Sequence, residues 1–130
     1  MTMLLSLMLA ASPMAAMPDD LAAVPMIDGW LGRKVSPRWS EEVARLYRKN
    51  ECGGAVPYEG SKLLEIDMLF LLSGDGKPLK VAPVNAHCPA IEKFVSGRIL
   101  GTLRGSFPKS GNADPQWMRS QVRFLWSDAP

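Results

Sequence analysis

The stretch Leu63–Leu72, with the sequence LLEIDMLFLL, decides the fold predicted for this chain. Its even-numbered residues are all apolar, whereas the odd-numbered ones include Glu65 and Asp67. This period of two is typical of a half-buried β-strand. The next residues, Ser73-Gly74-Asp75-Gly76-Lys77, are types that tolerate positive φ and close hairpins. The pattern therefore predicts a strand followed by a hairpin turn through Gly74, Asp75 and Gly76.

Two strands and a helix are predicted after this turn. The strand that follows the turn covers residues 77–85, and its two prolines should keep it short or irregular because proline cannot donate to a ladder. A helix can then begin at Pro89, with Cys88 as its cap. The last strand covers residues 118–126, where Met118, Val122 and other apolar residues alternate with Arg119, Gln121 and Arg123. This alternation predicts an apolar face and a polar face on the closing strand.

An amphipathic helix is predicted before the first strand, over residues 36–50. Ser36-Pro37 supplies an N-cap and a proline at the first helical position. Apolar residues then recur at helical spacing, and basic residues crowd the C-terminal end, as the helix dipole favours. The predicted fold class is therefore α+β: a small three-stranded antiparallel sheet packed with two helices. The predicted order is helix, strand, strand, helix, strand. Cys52-Gly53-Gly54 ends the helical periodicity, and residues 57–60 are predicted to form a connector.

Gly97 and Gly101 stand four residues apart in the second predicted helix. Glycine inside a helix costs about 1 kcal/mol relative to alanine, so the pair needs a reason. Their spacing places them on one face of the helix. We therefore expect a smooth strip there that allows close approach to the sheet.

The N-terminal region resembles an export signal. Residues 1–11 are mostly apolar, and small residues follow as far as Ala16. We predict a signal peptide over residues 1–16, a tether over residues 17–35 and one domain over residues 36–130. An uncleaved membrane anchor is the alternative, although the apolar run is short for a membrane span. The predicted location is thus the periplasm or the exterior.

The chain has two cysteines, Cys52 and Cys88. An even, low number of cysteines in an exported chain favours one disulfide bond. Two buried thiols packed as small apolar groups are the alternative. A metal site would need His87 as a third ligand, and the three residues lack the paired spacing of zinc sites. We therefore predict no metal and no other cofactor.

Charge and motifs exclude several classes of function. The net charge of +2 arises from interspersed acidic and basic residues, so no basic stripe suited to nucleic acid is present. The sequence has no Gly-x-Ser-x-Gly motif, and Gly76-Lys77 is followed by proline instead of the serine or threonine of a phosphate loop. The pair His87-Cys88 allows a thiol nucleophile, but neighbours in a chain rarely face each other. We therefore predict that the protein is not an enzyme.

The order of these parts resembles the C-terminal domain of TonB and TolA family proteins. The resemblance rests on residues 66–77, on residues 88–94 leading to Ser106-Phe107-Pro108, and on the closing strand from Trp117 to Trp126. It covers about 90 residues, and its motifs are short and mostly structural. The helix of residues 36–50 resembles the one that precedes the sheet in the TolA branch. In that branch a cysteine at the position of Cys88, at the start of the second helix, forms half of a disulfide bond.

The resemblance implies contact with a protein of the cell envelope instead of catalysis. An exposed strand edge would accept an extended segment of the partner, since main-chain pairing gives affinity and side chains give selectivity. The candidate edge is the last strand, with Arg119, Gln121 and Arg123 on its polar face. Exposed edges would also allow homodimers. The alternative function is a small exported structural or inhibitory protein of the same architecture, and a Cys/His enzyme is the third hypothesis.

Overall fold

The two longest strands of the protein are neighbours in one antiparallel sheet. In the computed structural model, which describes residues 16–27, 31, 36, 38–85 and 88–127, strand β2 (Ser61–Leu72) pairs with β4 (Gln116–Ser127) along its whole length. The other side of β2 pairs with two shorter strands, β1 (Val56–Tyr58) and β3 (Pro78–Val84). Strand β2 is therefore the centre of the sheet, as its many apolar residues require.

The fold is α+β, with two helices and a four-stranded antiparallel sheet. Helix α1 (Arg38–Lys49) precedes β1, and helix α2 (Pro89–Thr102) lies between β3 and β4. The prediction of three strands is wrong, because β1 overlaps the connector predicted over residues 57–60. A two-residue turn makes this possible: Glu59 and Gly60 both have positive φ, at 48° and 81°. Such turns match the twist of antiparallel strands.

The main hydrophobic core lies between the helices and one face of the sheet. Even-numbered residues of β2 and β4 point to this face, and the alternation predicted for both strands is confirmed. Helix α1 contributes Trp39 and Val43, and Trp126 packs against Tyr47 with 5.2 Å between the ring centroids. The fully buried members of this core with the largest side chains are Phe70, Phe124, Leu31, Leu64, Ile66, Met68, Ile91 and Ile99.

The expectation of a smooth glycine strip on α2 is wrong. Gly97 and Gly101 are exposed, and a Cβ atom on either would find no heavy atom within 4 Å. The core-facing side of α2 is formed by Ile91, Val95 and Ile99. The two glycines therefore lie on the outer side of the helix. The expectation failed because a spacing of four residues shows that two residues share a helix face, but not whether that face points to the core or to solvent.

The close approach occurs at the predicted hairpin turn. A Cβ atom on Gly74 would lie 2.0 Å from the carbonyl oxygen of Asn112, and Gly76 has a φ of 83°. The N–H of Gly111 donates to the Gly74 carbonyl at 2.9 Å. The turn therefore packs against the loop that joins α2 to β4. Glycine is needed at position 76 for its positive φ and at position 74 because a Cβ atom would not fit.

A disulfide bond joins Cys52 and Cys88, as predicted. It links Cys52, three residues after the end of α1, to Cys88, the residue before α2, with 5.6 Å between the Cα atoms. Cys88 is buried in the main core, and Cys52 packs against it. A disulfide is compatible with an exported protein.

The described residues contain no helix that is both long enough and apolar enough to cross a membrane. The predicted signal peptide covers residues 1–16, of which 1–15 lie outside the described part of the chain. It stays a prediction, as do the domain boundaries.

The segment Ala16–Ile27, which we call the strap, runs along the second face of the sheet and reaches the edge of β4. The indole N–H of Trp117, on this second face, donates to the Ala16 carbonyl at 2.9 Å. Val24 of the strap is buried, as are Leu69 and Leu71, whose positions in β2 place them on the same face. Beyond the strap, Leu31 is buried in the main core on the opposite face. The described residues before and after 28–30 thus lie on opposite faces of the sheet.

Candidate partner-binding edge

The outer edge of β4 is the side that does not pair with β2. Both main-chain polar groups of Arg119 point to this edge, because they bond with the strap instead of β2. Main-chain groups alternate in direction along an antiparallel strand. The regular pairing of β2 with β4 therefore places the N–H and C=O groups of Gln121, Arg123 and Leu125 on the same edge.

The strap occupies the first part of this edge as a short parallel strand. The Arg119 N–H donates to the Pro25 carbonyl at 2.8 Å, and the Ile27 N–H donates to the Arg119 carbonyl at 2.7 Å. Met26 lies between them and forms a single parallel bridge with Arg119. The edge thus already binds an extended segment, which belongs to the same chain.

The pairing between the strap and β4 stops after one bridge, next to Ser120. In a continuing parallel ladder the Gln121 N–H would donate to the Ile27 carbonyl. That carbonyl instead accepts a hydrogen bond from the Ser120 hydroxyl at 3.1 Å. Ser120 is 1% exposed, and its side chain would otherwise be an unpaired polar group in the core. Its hydroxyl therefore attaches Ile27 to β4 at the point where the occupied part of the edge ends.

The open part of the edge extends from Gln121 to Leu125. Within the described chain, the outward N–H groups of Gln121, Arg123 and Leu125 make no hydrogen bond. All three residues are exposed, and Leu125 is 47% exposed although it is apolar. At the far end of β4 the Arg48 side chain donates to the Ser127 carbonyl at 3.4 Å. A partner strand would therefore find about five residues between the strap and Arg48.

The structure places the three predicted edge residues in different surroundings. Arg119 is half-buried beside the strap, whereas Gln121 and Arg123 are exposed. The Arg123 Nε atom lies 3.2 Å from a carboxylate oxygen of Glu65, its cross-strand neighbour. Because Glu65 offsets the charge of Arg123, the open part of the edge has little net attraction for an acidic segment. Its main-chain groups are the stronger feature.

Two polar atoms on the second face are buried without a hydrogen-bond partner in the described part of the protein: Asp67 Oδ1 and Arg119 Nε. Arg119 is opposite Leu69, so Asp67 is its diagonal neighbour on β2. The other carboxylate oxygen of Asp67 accepts from the Asn85 amide at 3.2 Å. An unpaired buried donor costs free energy, so Arg119 Nε lowers the stability of the packing around it.

The opposite edge of the sheet, on β3, is less suited to pairing. By the same alternation Pro83 faces outward, and proline has no N–H to donate. Helix α2 also packs beside this strand. The β4 edge is therefore the better candidate for main-chain recognition.

A basic cleft of about 490 Å³ lies where the hairpin turn meets the end of α2. Lys77, Arg104 and Lys109 line it together with Asp75. The Ser73 hydroxyl donates to Asp75 and lowers the pKa of that carboxyl below its ordinary value, and Lys77 and Lys109 act in the same direction. Asp75 thus keeps its charge and offsets part of the positive charge of the cleft.

The thiol proposed for chemistry is not free in the described part of the chain. Both cysteine sulfurs are in the disulfide, and His87 lies outside the described residues. The described part of the chain holds no group of three or more residues that could bind a metal ion. Sequence reasoning missed Ser120, and it predicted a tether over residues 17–35 without the pairing of the strap with β4. Ser120 carried a signal, since it is the polar residue among core-facing positions of β4.

Comparison with known proteins finds no match to this chain among protein-family profiles, curated proteins or solved structures.

Proposed function

We propose that this protein is an exported protein-binding module that captures an extended segment of an envelope partner at the outer edge of β4. One observation carries the proposal: Arg119 of this edge already pairs with an extended segment, residues 25–27 of the same chain. The outward N–H and C=O groups of Gln121, Arg123 and Leu125 lie on the same edge and are available to another strand.

The proposed resemblance to the TonB/TolA C-terminal domain is supported by the position of β2 in the sheet. Strand β2 lies between β3 and β4, and α2 connects these two outer strands. The disulfide bond is compatible with the proposed location in the periplasm or outside the cell. A role linked to envelope transport follows from the resemblance alone.

If the edge binds its partner through main-chain groups, two variants of Arg123 should differ in binding according to whether they keep the N–H of that residue. Arg123→Pro removes an outward N–H, and the pairing of β4 with β2 stays intact because that N–H does not face β2. Arg123→Gln keeps the N–H and removes the charge, including the exposed ion pair with Glu65, at a cost of at most about 1 kcal/mol. The two variants therefore separate main-chain from side-chain recognition.

The test uses a photo-crosslinking amino acid at Gln121 in cells of the native host, with the same probe at the exposed and distant Arg104 as the control position. We expect a defined protein adduct from position 121 that persists in Arg123→Gln and falls at least tenfold in Arg123→Pro. Mass spectrometry identifies the adduct, and circular dichroism checks that both variants fold. Equal adducts from both positions, or an adduct insensitive to the proline, would contradict strand-edge capture.

A further inference from the structure

The strap holds the β4 edge through few contacts. Two main-chain hydrogen bonds and the Ser120 hydroxyl attach residues 25–27. Pro25 is exposed and Met26 is 37% exposed, so little apolar surface is buried at the edge itself. Short segments with exposed hydrogen bonds and little burial open locally at low free-energy cost. The edge contact is therefore the easily opened part of the strap.

The two sides of this contact are anchored differently. On the C-terminal side Leu31 is fully buried in the main core. On the N-terminal side the strap continues through a single turn of 3₁₀-helix, Leu21–Ala23, in which no residue is buried, and Val24 is the buried contact. Val24 and the hydrogen bond from the Trp117 indole to Ala16 hold the N-terminal side, which buries less apolar surface than Leu31 does, so opening would start on that side.

Opening of the strap would release the polar groups of Arg119. Its N–H and C=O would become available together with those of Gln121, Arg123 and Leu125, which lengthens the open edge toward the start of β4. The orphaned Arg119 Nε would also gain access to water or to a partner. The strap and a partner that pairs with Arg119 therefore cannot bind to the edge at the same time.

We propose that the strap is an intramolecular competitor: it occupies the Arg119 end of the edge and must be displaced before a partner strand pairs with the whole of β4. This inference rests on the proposed function for the existence of a partner strand. The competition between the strap and another strand for the β4 edge can be tested on this chain alone. Displacement lowers the apparent affinity for a partner by the fraction of time that the edge is open. For an edge that is open about one tenth of the time, the reduction is about tenfold.

The chain offers adjacent positions for a matched test. Ile27→Pro removes the N–H that donates to the Arg119 carbonyl. Met26→Pro introduces the same residue one position earlier, where the N–H faces away from β4. Ser120→Ala removes only the side-chain hydrogen bond to Ile27. This third variant tests the same strap if Ile27→Pro fails to fold.

The first readout is amide hydrogen exchange of the full chain. We expect exchange of the Arg119 amide to accelerate about tenfold in Ile27→Pro, less in Ser120→Ala and hardly at all in Met26→Pro. Amides of β2 that face β4 serve as the internal reference for global stability. Unchanged Arg119 exchange in Ile27→Pro and Ser120→Ala would overturn the proposal.

The second readout is binding of a fluorescent peptide with the sequence of residues 20–31, followed by anisotropy. Wild-type protein should bind it at least tenfold more weakly than Ile27→Pro, because its own strap is present at a high effective concentration. Equal binding by both proteins, or binding by neither, would overturn the competitor role. Because no envelope protein is used, this result is independent of the crosslinking test: either proposal can fail while the other stands.

Discussion

Removal of the disulfide by Cys52→Ala with Cys88→Ala is expected to lower the free energy of unfolding by about 3–4 kcal/mol. The bond closes a loop with a sequence separation of 36 residues, and the open chain gains the corresponding conformational freedom when it unfolds. Equilibrium unfolding in urea, followed by tryptophan fluorescence, measures the change. Alanine is chosen because Cys88 is buried, and a serine hydroxyl there would add its own penalty.

Reduced wild-type protein is the control for this experiment. It keeps both sulfur atoms and their packing, so the difference between reduced and oxidised protein reports the covalent link alone. The alanine variant should be slightly less stable than the reduced protein because it also loses two partly or fully buried sulfur atoms. A loss below about 1 kcal/mol on reduction would mean that the unfolded chain already holds these residues close together.

Gly74→Ala is expected to destabilise the protein by about 2–3 kcal/mol. The new Cβ atom would lie 2.0 Å from the Asn112 carbonyl oxygen, a main-chain atom that cannot rotate away. The φ of Gly74 is not among the positive values, so the loss comes from the contact and not from backbone strain. The melting temperature and the urea midpoint both check the result.

Gly97→Ala is the matched control, since the same atom is added at an exposed helical glycine with open space around it. It should raise stability by up to about 1 kcal/mol, through the higher helix propensity of alanine. If both variants had the same effect, the packing of the hairpin turn against the loop after α2 would not be a stabilising contact.

Much of the fold could be predicted because its signals are local. Alternation in residues 63–72 defines β2, and the stripe around Val43 defines α1. Strand β1 was not predicted, because three residues with a central proline are too few to show an alternation of apolar and polar residues. It forms through its turn and through pairing with β2, in which Val56 is opposite Leu63. The direction of Gly97 could not be read because a repeat defines a face but not what that face meets.

The candidate site was predicted in part, for a similar reason. The alternation of Arg119, Gln121 and Arg123 marks the polar face of β4, and the structure places Gln121 and Arg123 on an open edge. The strap could not be predicted, because Met26 and Arg119 meet through one bridge across 93 residues of sequence. No periodic pattern records so short and distant a pairing.

The position of the disulfide has a mechanical consequence. The covalent ring from Cys52 to Cys88 encloses β1, β2 and β3, whereas the strap and β4 lie outside it. A tensile force applied to the two ends of the chain bypasses the ring, which cannot be drawn out while the bond is intact. Full extension of the oxidised protein should therefore yield a contour length about 120 Å shorter than that of the reduced protein, the length of some 36 extended residues.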